Sequence, residues 1–369
     1  MSEWYKIDNV DSLDTPALVI YPERVKANLE ILKSFVRNMS QVRPHIKTNK
    51  CPQVVRLMLD AGIVKFKCAT IAEAEMLAME GAKDILLAYQ PTGPKARRFC
   101  QLQQKYQEAS FSCLVDNSKT LAELSAVAGE YDQDINMFVD LNVGMNRTGI
   151  TPGQEALNLC QDARKANGIV FLGLHAYDGH LRDRDLNVRR AKCDDAFRPV
   201  EEMRAQLVRD SGKEITVVAG GTPTFPIHAG REGVEASPGT FIFWDQGYDR
   251  ILPEQPFEFA ALVVTRVISV PDDHTFCLDL GHKSIASENP IENRVYLLNA
   301  SGEEPVGHSE EHMVFRSNNP HGYQTGHVFY GVPHHICPTV ALYDEARVCS
   351  DHKVNDTWPI LARKRKITV

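Results

Sequence analysis

The sequence predicts an α/β protein, a (β/α)8 barrel of the TIM type followed by a β-rich C-terminal domain. From residue 16 to about 245, short β-branched runs alternate with longer runs of helical period, the pattern of parallel strands joined by crossover helices. After Pro253 the texture changes to alternating segments such as Phe257-Glu258-Phe259 and Thr275-Phe276-Cys277-Leu278, with turn residues between them. A doubly wound open sheet is the competing architecture, but no glycine fingerprint follows the first strand.

Candidate strands, in order, are residues 16 to 21, 42 to 47, 65 to 70, 84 to 89, 110 to 116, 135 to 142, 169 to 177, 214 to 221 and 238 to 244. That is one more than a barrel needs, so one of them must lie outside it. The intervening runs read as helices. Pro22-Glu23-Arg24 opens one with proline in the first turn, and Leu29, Leu32 and Val36 supply its apolar stripe. Thr70-Ile71-Ala72-Glu73 resembles a capping box ahead of Ala74, Leu77 and Ala78.

Composition excludes several function classes. At 369 residues, 43% apolar and 24% charged, the chain has ordinary globular composition and room for two domains. Its formal charge of -7 is spread along the length with no basic stripe, so nucleic acid is not an expected partner. No apolar run approaches the roughly 20 residues of a membrane helix, and Met1-Ser2-Glu3-Trp4-Tyr5-Lys6 lacks the order of a signal peptide. Nine cysteines without CxxC spacing fit a reducing, cytoplasmic setting, with Cys68, Cys113 and Cys277 as core fillers. The basic tail Arg363-Lys364-Arg365-Lys366 reads as a solvated strand end.

In a barrel, functional groups gather at the carboxyl ends of strands. Lys47 ends one, the stretch from Asn142 to Gly149 follows another, Tyr177-Asp178-Gly179-His180 a third and Gly220-Gly221-Thr222 a fourth. Each alone has a plain explanation: Lys47 and its neighbour Lys50 as surface lysines, Arg147 as a loop ion pair, His180 as an exposed histidine, the glycine pair as a turn. Together they suit an imine-forming cofactor. Lys47 supplies the amine, glycine lets backbone N–H groups approach a phosphate, Tyr177 offers a ring face, and Arg147 offers a cation for a phenolate oxygen. Farther on, His335-Ile336-Cys337 places an imidazole and a thiol two residues apart, which on a strand would share a face and could grip one soft divalent metal. Two donors leave positions open, as a catalytic metal site requires, although a buried cysteine beside a satisfied histidine would look the same.

These segments resemble the fold-type III pyridoxal-phosphate enzymes of the D-threonine aldolase and D-serine dehydratase group, and more distantly the alanine racemases. The resemblance runs through DTPALVIYPERVKANL, RPHIKTNK, IAEAEMLAMEGAKDILLAY, DLNVGMNRTGI, LGLHAYDGHL, GGTPT, SPGTFIFWD, SEEH and HHICPTV, nearly the whole chain. It implies that Lys47, not Lys50, bonds the pyridoxal phosphate, that Arg147 contacts its oxygen and Tyr177 its ring, and that Gly221 and Thr222 help hold the phosphate, at the turn where Gly220 also falls. It implies His335 and Cys337 as metal ligands, and a homodimer. It also assigns the run at 16 to 21 to the β domain, dividing the chain into 1-22, a barrel over 23-250 and a β domain over 251-369. Asn49 stands where these families commonly carry histidine, and the HxC pair is HxD in some aldolases. Cysteine, the softer ligand, favours zinc, whereas a carboxylate would suit manganese or magnesium.

The activity implied is a lyase acting on D-3-hydroxy amino acids. If a base removes the β-hydroxyl proton, the Cα–Cβ bond opens to glycine and an aldehyde; His180 is the candidate base. If Lys47 takes the Cα proton instead and hydroxide leaves, the enzyme is a D-serine or D-threo-3-hydroxyaspartate dehydratase. His312, in SEEH, is a weaker candidate for holding metal-bound water. An amino-acid racemase, which needs two bases and no metal, and a non-catalytic pyridoxal-phosphate carrier, usually a single barrel, are the rivals.

Overall fold

In the computed structural model, which describes residues 3–300 and 302–369, the chain opens with a strand, β1 (Ala17–Ile20), and a helix, α1 (Pro22–Ser34). The alternating region then runs α2 (Pro52–Asp60), β2 (Lys65–Cys68), α3 (Ile71–Met79), β3 (Asp84–Leu87), α4 (Pro94–Lys105), β4 (Ser110–Val115), α5 (Ser118–Tyr131), β5 (Ile135–Leu141), α6 (Gln154–Lys165), β6 (Ile169–Ala176), α7 (Leu186–Ser211), β7 (Thr216–Ala219), α8 (Phe225–His228), β8 (Val234–Ala236) and α9 (Gln246–Ile251). The β-rich region holds β9 (Ala261–Asp272), β10 (Thr275–Leu278), β11 (Val295–Leu297), β12 (Glu303–His308), β13 (Met313–Ser317), β14 (Val328–Pro333), α10 (Ile336–Val340), β15 (Glu345–Ser350) and β16 (Lys353–Pro359). No helix among the described residues is long and apolar enough to cross a membrane.

The chain divides into two compact units. One comprises residues up to Ile31, Thr48–Val54 and Thr240–Arg363; the other comprises Leu32–Lys47, Val55–Gly239 and Lys364–Val369. The two units interleave along the chain, and local bonding shows how. Gly247 N–H donates to the His334 carbonyl, tying α9 to the β-rich unit. The tail residues Thr368 and Val369 donate their N–H groups to Glu75 on α3 of the barrel unit.

In the barrel unit, β2 to β8 form one parallel sheet in sequence order. The eighth segment, expected as a strand over 42 to 47, pairs only through single bridges, Val42 with Ala236 and His45 with Lys67, yet these lie on both sides and complete the ring. Arg43 N–H donates to the Ala236 carbonyl, His45 N–H to Pro238, and Lys67 N–H to Pro44. Pro44 has no N–H of its own to extend the ladder, and residues Ile46–Thr48 turn into a short 3-10 helix. The expected strand at 238 to 244 is a correction: the strand is β8, just upstream, and Thr240–Ile242 is a 3-10 turn. Phe241, Ile242, Phe243 and Trp244 are all buried, and an apolar run without alternation cannot distinguish a buried turn from a strand.

Closure is secured by charge. The buried Arg43 guanidinium donates to Glu235 Oε2 on β8 (2.6 Å) and grips both oxygens of Asp84 at the start of β3 (2.6 and 2.9 Å), while Lys65 on β2 pairs with the same Glu235. The barrel interior has an apolar layer of Leu86, Leu114, Phe138 and Val218. The helix starts follow their residues: Thr70 Oγ1 accepts from Glu73 N–H, and Glu73 Oε2 accepts from Ala69 N–H, a capping arrangement.

The β-rich unit is a largely antiparallel sheet of order β12-β13-β10-β9-β1-β15-β16, with β14 joining β9 to β11. The run at 16 to 21 lies here, β1 pairing antiparallel with β9 and parallel with β15. Its Leu18, Val19 and Ile20 are fully buried, each contributing about 1.5–3 kcal/mol by burial. Phe276 stacks between Phe315 and Phe329, with ring centroids 5.5 Å away on each side.

Candidate active site

Within the barrel unit, Lys47, Arg147 and Tyr177 come together at the carboxyl end of the strands. Lys47 ends the closing segment, its N–H held by His45 Nδ1 at 3.2 Å. Tyr177 is the first residue beyond β6. Its ring centroid lies 6.0 Å from Lys47 Nζ, 5.8 Å from Lys67 Nζ and 4.8 Å from the Arg147 guanidinium carbon. Two lysine amines and a guanidinium around one ring form a basic pocket wall suited to an anionic aromatic ligand.

The turn after β7 closes in on the same tyrosine. Gly220 has φ +77°, and a Cβ there would sit 2.6 Å from His228 Cδ2; a Cβ on Gly221 would sit 2.9 Å from Tyr177 Cε2. Only glycine fits at either position. The turn is fixed from below: Gly221 N–H reaches Thr224 Oγ1 at 3.3 Å, and Thr224 Oγ1 donates to Asp178 Oδ1 at 2.6 Å. Thr222 is buried, and its Oγ1 accepts from Gly239 N–H at 3.1 Å.

Asp178, Cys193 and His228 also bring three ligand-type atoms within 4.8 Å of one another. They already bond among themselves, with Asp178 Oδ2 2.8 Å from His228 Nε2 and Cys193 Sγ 3.3 Å from that nitrogen. Burial opposes charge on Asp178, but His228, Thr224 and Cys193 outweigh it and hold the carboxyl below its ordinary value. Burial pushes the Cys193 thiol up to about 12, so this cluster first of all anchors the glycine turn.

A polar set that the sequence reading missed lies in the register of the apolar barrel layer. Lys67 pairs with Leu86, Asp140 with His175, and His175 with Val218 across neighbouring strands. Lys67 Nζ is 3.2 Å from His175 Nε2, and His175 Nδ1 is 2.7 Å from Asp140 Oδ1. Burial, aided by Lys67, lowers the His175 pKa despite Asp140. Bonds from His175, Thr148 and Gln90 lower that of Asp140 despite its burial. The signal was available: His175 stands two residues before Tyr177, the spacing that puts side chains of an extended run on the same face.

His180 is exposed in the turn after β6, its Nε2 2.9 Å from where a Gly144 Cβ would be, so it covers the loop that carries Arg147. His312 is exposed in the turn between β12 and β13, where its carbonyl accepts from Ser309 N–H.

In the β-rich unit, His335 and Cys337 are not on a strand as expected. β14 ends at Pro333, and His335 is the N-cap of α10, with extended φ −131° and ψ 102°. The two side chains still meet, because the cap residue precedes the helical twist that would otherwise separate positions two apart. His335 Nδ1 is 2.6 Å from Glu288 Oε1, leaving Nε2 for a metal. A carboxylate behind a histidine is the common support of a metal ligand. Cys337 Sγ lies 3.1 Å from Thr48 Oγ1 and 3.8 Å from Thr240 Oγ1. Burial disfavours the imidazolium, but Cys337, Asp245 and Glu288 overcome it and lift the His335 pKa to about 9. Glu288, 47 residues away in sequence, carried no local signal.

Both groups fit the residues present. The glycine cradle, the ring and the lysine amine suit pyridoxal phosphate; an imidazole nitrogen beside a thiol suits a borderline-soft divalent ion.

The comparisons agree. The family model for the alanine racemase N-terminal domain matches residues 20–246, and that for a putative serine dehydratase domain matches residues 260–349. The chain is 31% identical to the D-threonine aldolase of an Arthrobacter species over 364 residues, covering 96% of this chain and 94% of that one. It is 25% identical to the 3-hydroxy-D-aspartate aldolase of Paracoccus denitrificans, covering 95% and 92%. The crystal structure of D-threonine aldolase from Filomicrobium marinum superposes with a TM-score of 0.87 at 28% identity, covering 97% and 98%. With barrel and β region both matched in order, the chain belongs to the fold-type III pyridoxal-phosphate enzymes of the D-threonine aldolase and D-serine dehydratase family, built on the alanine racemase N-terminal domain.

Proposed function

We propose that the protein is a pyridoxal-phosphate- and divalent-metal-dependent lyase that cleaves D-threonine-like 3-hydroxy amino acids to glycine and an aldehyde. The observation that carries this is the full-length match to a D-threonine aldolase in a chain that also holds the Lys47–Tyr177–Arg147 pocket and the His335–Cys337 pair. The barrel, 23-250, would hold the cofactor, and the β domain, 251-369 with strand 1-22, would carry the metal ligands. Zinc is the proposed metal, on the strength of the Cys337 donor. A homodimer is expected from the family, and a cytoplasmic location from nine cysteines that form no disulfide among the described residues.

Lys47 would hold the cofactor through its amine, Arg147 would face its phenolic oxygen, and Gly220, Gly221 and Thr222 would receive the phosphate. When bound, the cofactor supplies a conjugated ring that takes up the electron pair freed at Cα, and the metal supplies a Lewis acid for the β-oxygen. The residues do the rest. His180 takes the proton from the β-hydroxyl as the Cα–Cβ bond opens, and Tyr177 keeps the reacting plane fixed. Lys47 would also be the group placed to return a proton to Cα of glycine.

A second reading, dehydration of a D-3-hydroxy amino acid, is favoured by the thiol ligand Cys337 and by the match to a serine dehydratase domain. Here Lys47 removes the Cα proton instead. One experiment separates them. Protein supplied with pyridoxal phosphate and zinc or manganese is given D-threonine and D-serine. Acetaldehyde with glycine supports cleavage, pyruvate or 2-oxobutyrate with ammonia supports dehydration, and activity that survives a chelator would sink both in favour of a racemase.

A further inference from the structure

We propose that Lys67 is a positioning residue of the cofactor site, a second amine whose charge, set by its docking on the His175–Asp140 pair, tunes how tightly the barrel holds an anionic cofactor. The inference rests on the functional reading above and concerns a residue to which that reading gives no role.

Lys67 projects into the barrel interior, 2% exposed, where neighbouring strands supply leucine, phenylalanine and valine. A lysine in such a layer loses its hydration and is kept only where something compensates. The compensation here is a single chain of contacts: Lys67 Nζ to His175 Nε2 at 3.2 Å, then His175 Nδ1 to Asp140 Oδ1 at 2.7 Å. Asp140 accepts a second bond from Gln90 Nε2 at 2.9 Å. An ionised Asp140 fixes the imidazole proton on Nδ1, so Nε2 is left as an acceptor and Lys67 must donate to it. Lys67 Nζ also lies over the Tyr177 ring, 5.8 Å from its centroid, and Lys47 Nζ is 6.0 Å from the same centroid.

The charges acting on Lys67 come from every side: Lys47 and Arg43 on the closing segment, Asp140 on β5 and Asp178 beyond β6. His175 on β6 is the neutral member, itself depressed by Lys67 and Arg147. Burial first, then repulsion from Lys47, brings Lys67 down to about 7, so its charge changes within the working range of a neutral enzyme. The sign follows. Below that pH the ammonium adds a positive charge to the cofactor site and favours an anion; above it the neutral amine does not.

The test is cofactor affinity, read by absorbance titration of apoprotein with pyridoxal phosphate at about pH 6 and about pH 8.5, for wild type, K67M and K67R. Near neutrality an effect of about tenfold in Kd corresponds to 1.4 kcal/mol. Wild type should bind about tenfold tighter than K67M at the lower pH and converge on it at the higher pH. K67R, charged throughout, should keep its advantage at both. D140N should move the wild-type crossover to lower pH, because Asp140 raises the Lys67 pKa. Equal pH dependence of wild type and K67M, with both folded by circular dichroism, overturns the proposal while leaving the functional reading intact. Failure of wild type to bind pyridoxal phosphate at any pH overturns both.

Discussion

The barrel and the β-rich unit present their chemistry in opposite ways. In the barrel, the pocket is built on strand register: His175 lies on β6 two residues before Tyr177, Asp140 lies beside His175 on β5, and buried charges lock the layer. In the β-rich unit, the proposed metal pair stands at an irregular junction, the N-cap of a five-residue helix, with His335 and Glu288 side chains 45% and 46% exposed. Regular register gives a fixed polar layer with Lys67, His175 and Asp140 buried beside the proposed cofactor pocket. A cap turn gives a half-open pair that leaves coordination positions for substrate and water.

The largest expected effect tests the first half of that contrast. Lys47→Ala should lower turnover by about 10⁴-fold or more, since it removes both the anchoring amine and the proton carrier. Borohydride reduction followed by peptide mass mapping should mark residue 47 in wild type and nothing in the variant. Marking of Lys50 instead would move the site. Next in size is closure of the barrel. Arg43→Met breaks a buried, hydrogen-bonded ion network on β8 and β3 and should cost about 3–5 kcal/mol in urea unfolding. Arg97→Ala, at an exposed pair with Glu130, should cost about 0.5 kcal/mol or less. Similar losses for the two would mean that the ring is not held by its charges.

What the sequence made legible follows the same division. Strand ends at Lys47, Tyr177 and Gly220-Gly221 could be read because barrel chemistry obeys a positional rule, and glycine and lysine stand out there. β8 could not be read, because Gly233-Val234-Glu235-Ala236 is short, carries a buried glutamate and precedes a far more apolar run that turns out to be a 3-10 turn. Lys67 looked like any strand-edge lysine, since only the closed ring reveals that it points inward. His335 and Cys337 meet as their spacing led one to expect, though not on a strand, because a cap residue can bring two side chains together that a helix would separate. Glu288 had no signal at all, being joined to His335 only by the fold.

The half-open character of the metal pair has its own test. Glu288→Gln removes the charged partner of His335 Nδ1 and should weaken metal affinity about 10–100-fold while leaving cofactor absorbance unchanged. Competition against a chromogenic zinc chelator measures the first and a spectrum the second. If cofactor binding weakened in step with metal affinity, the two sites would not be separable in the way the contrast assumes.

The smallest effect concerns the barrel unit's own tail. Glu75, buried on α3, accepts from the Thr368 hydroxyl, from the N–H groups of Thr368 (3.0 Å) and Val369 (3.2 Å), and from the Tyr106 hydroxyl (3.2 Å). Burial alone would raise its pKa, but these bonds prevail and hold it below the ordinary value. A carboxyl depressed in the folded state contributes stability that is fully present above its unfolded pKa near 4.5 and is lost as pH falls through the lower folded value. Residues 364 to 369 should therefore resist carboxypeptidase and amide exchange at neutral pH and loosen on acidification before the barrel unfolds. Glu75→Gln should loosen them at neutral pH by about 1–3 kcal/mol. Protection that persists in that variant would shift the anchor to Arg98, whose Nη2 donates to the Val369 carbonyl oxygen at 2.7 Å. Regular packing on the barrel helices, rather than one buried carboxylate, would then be what holds the tail.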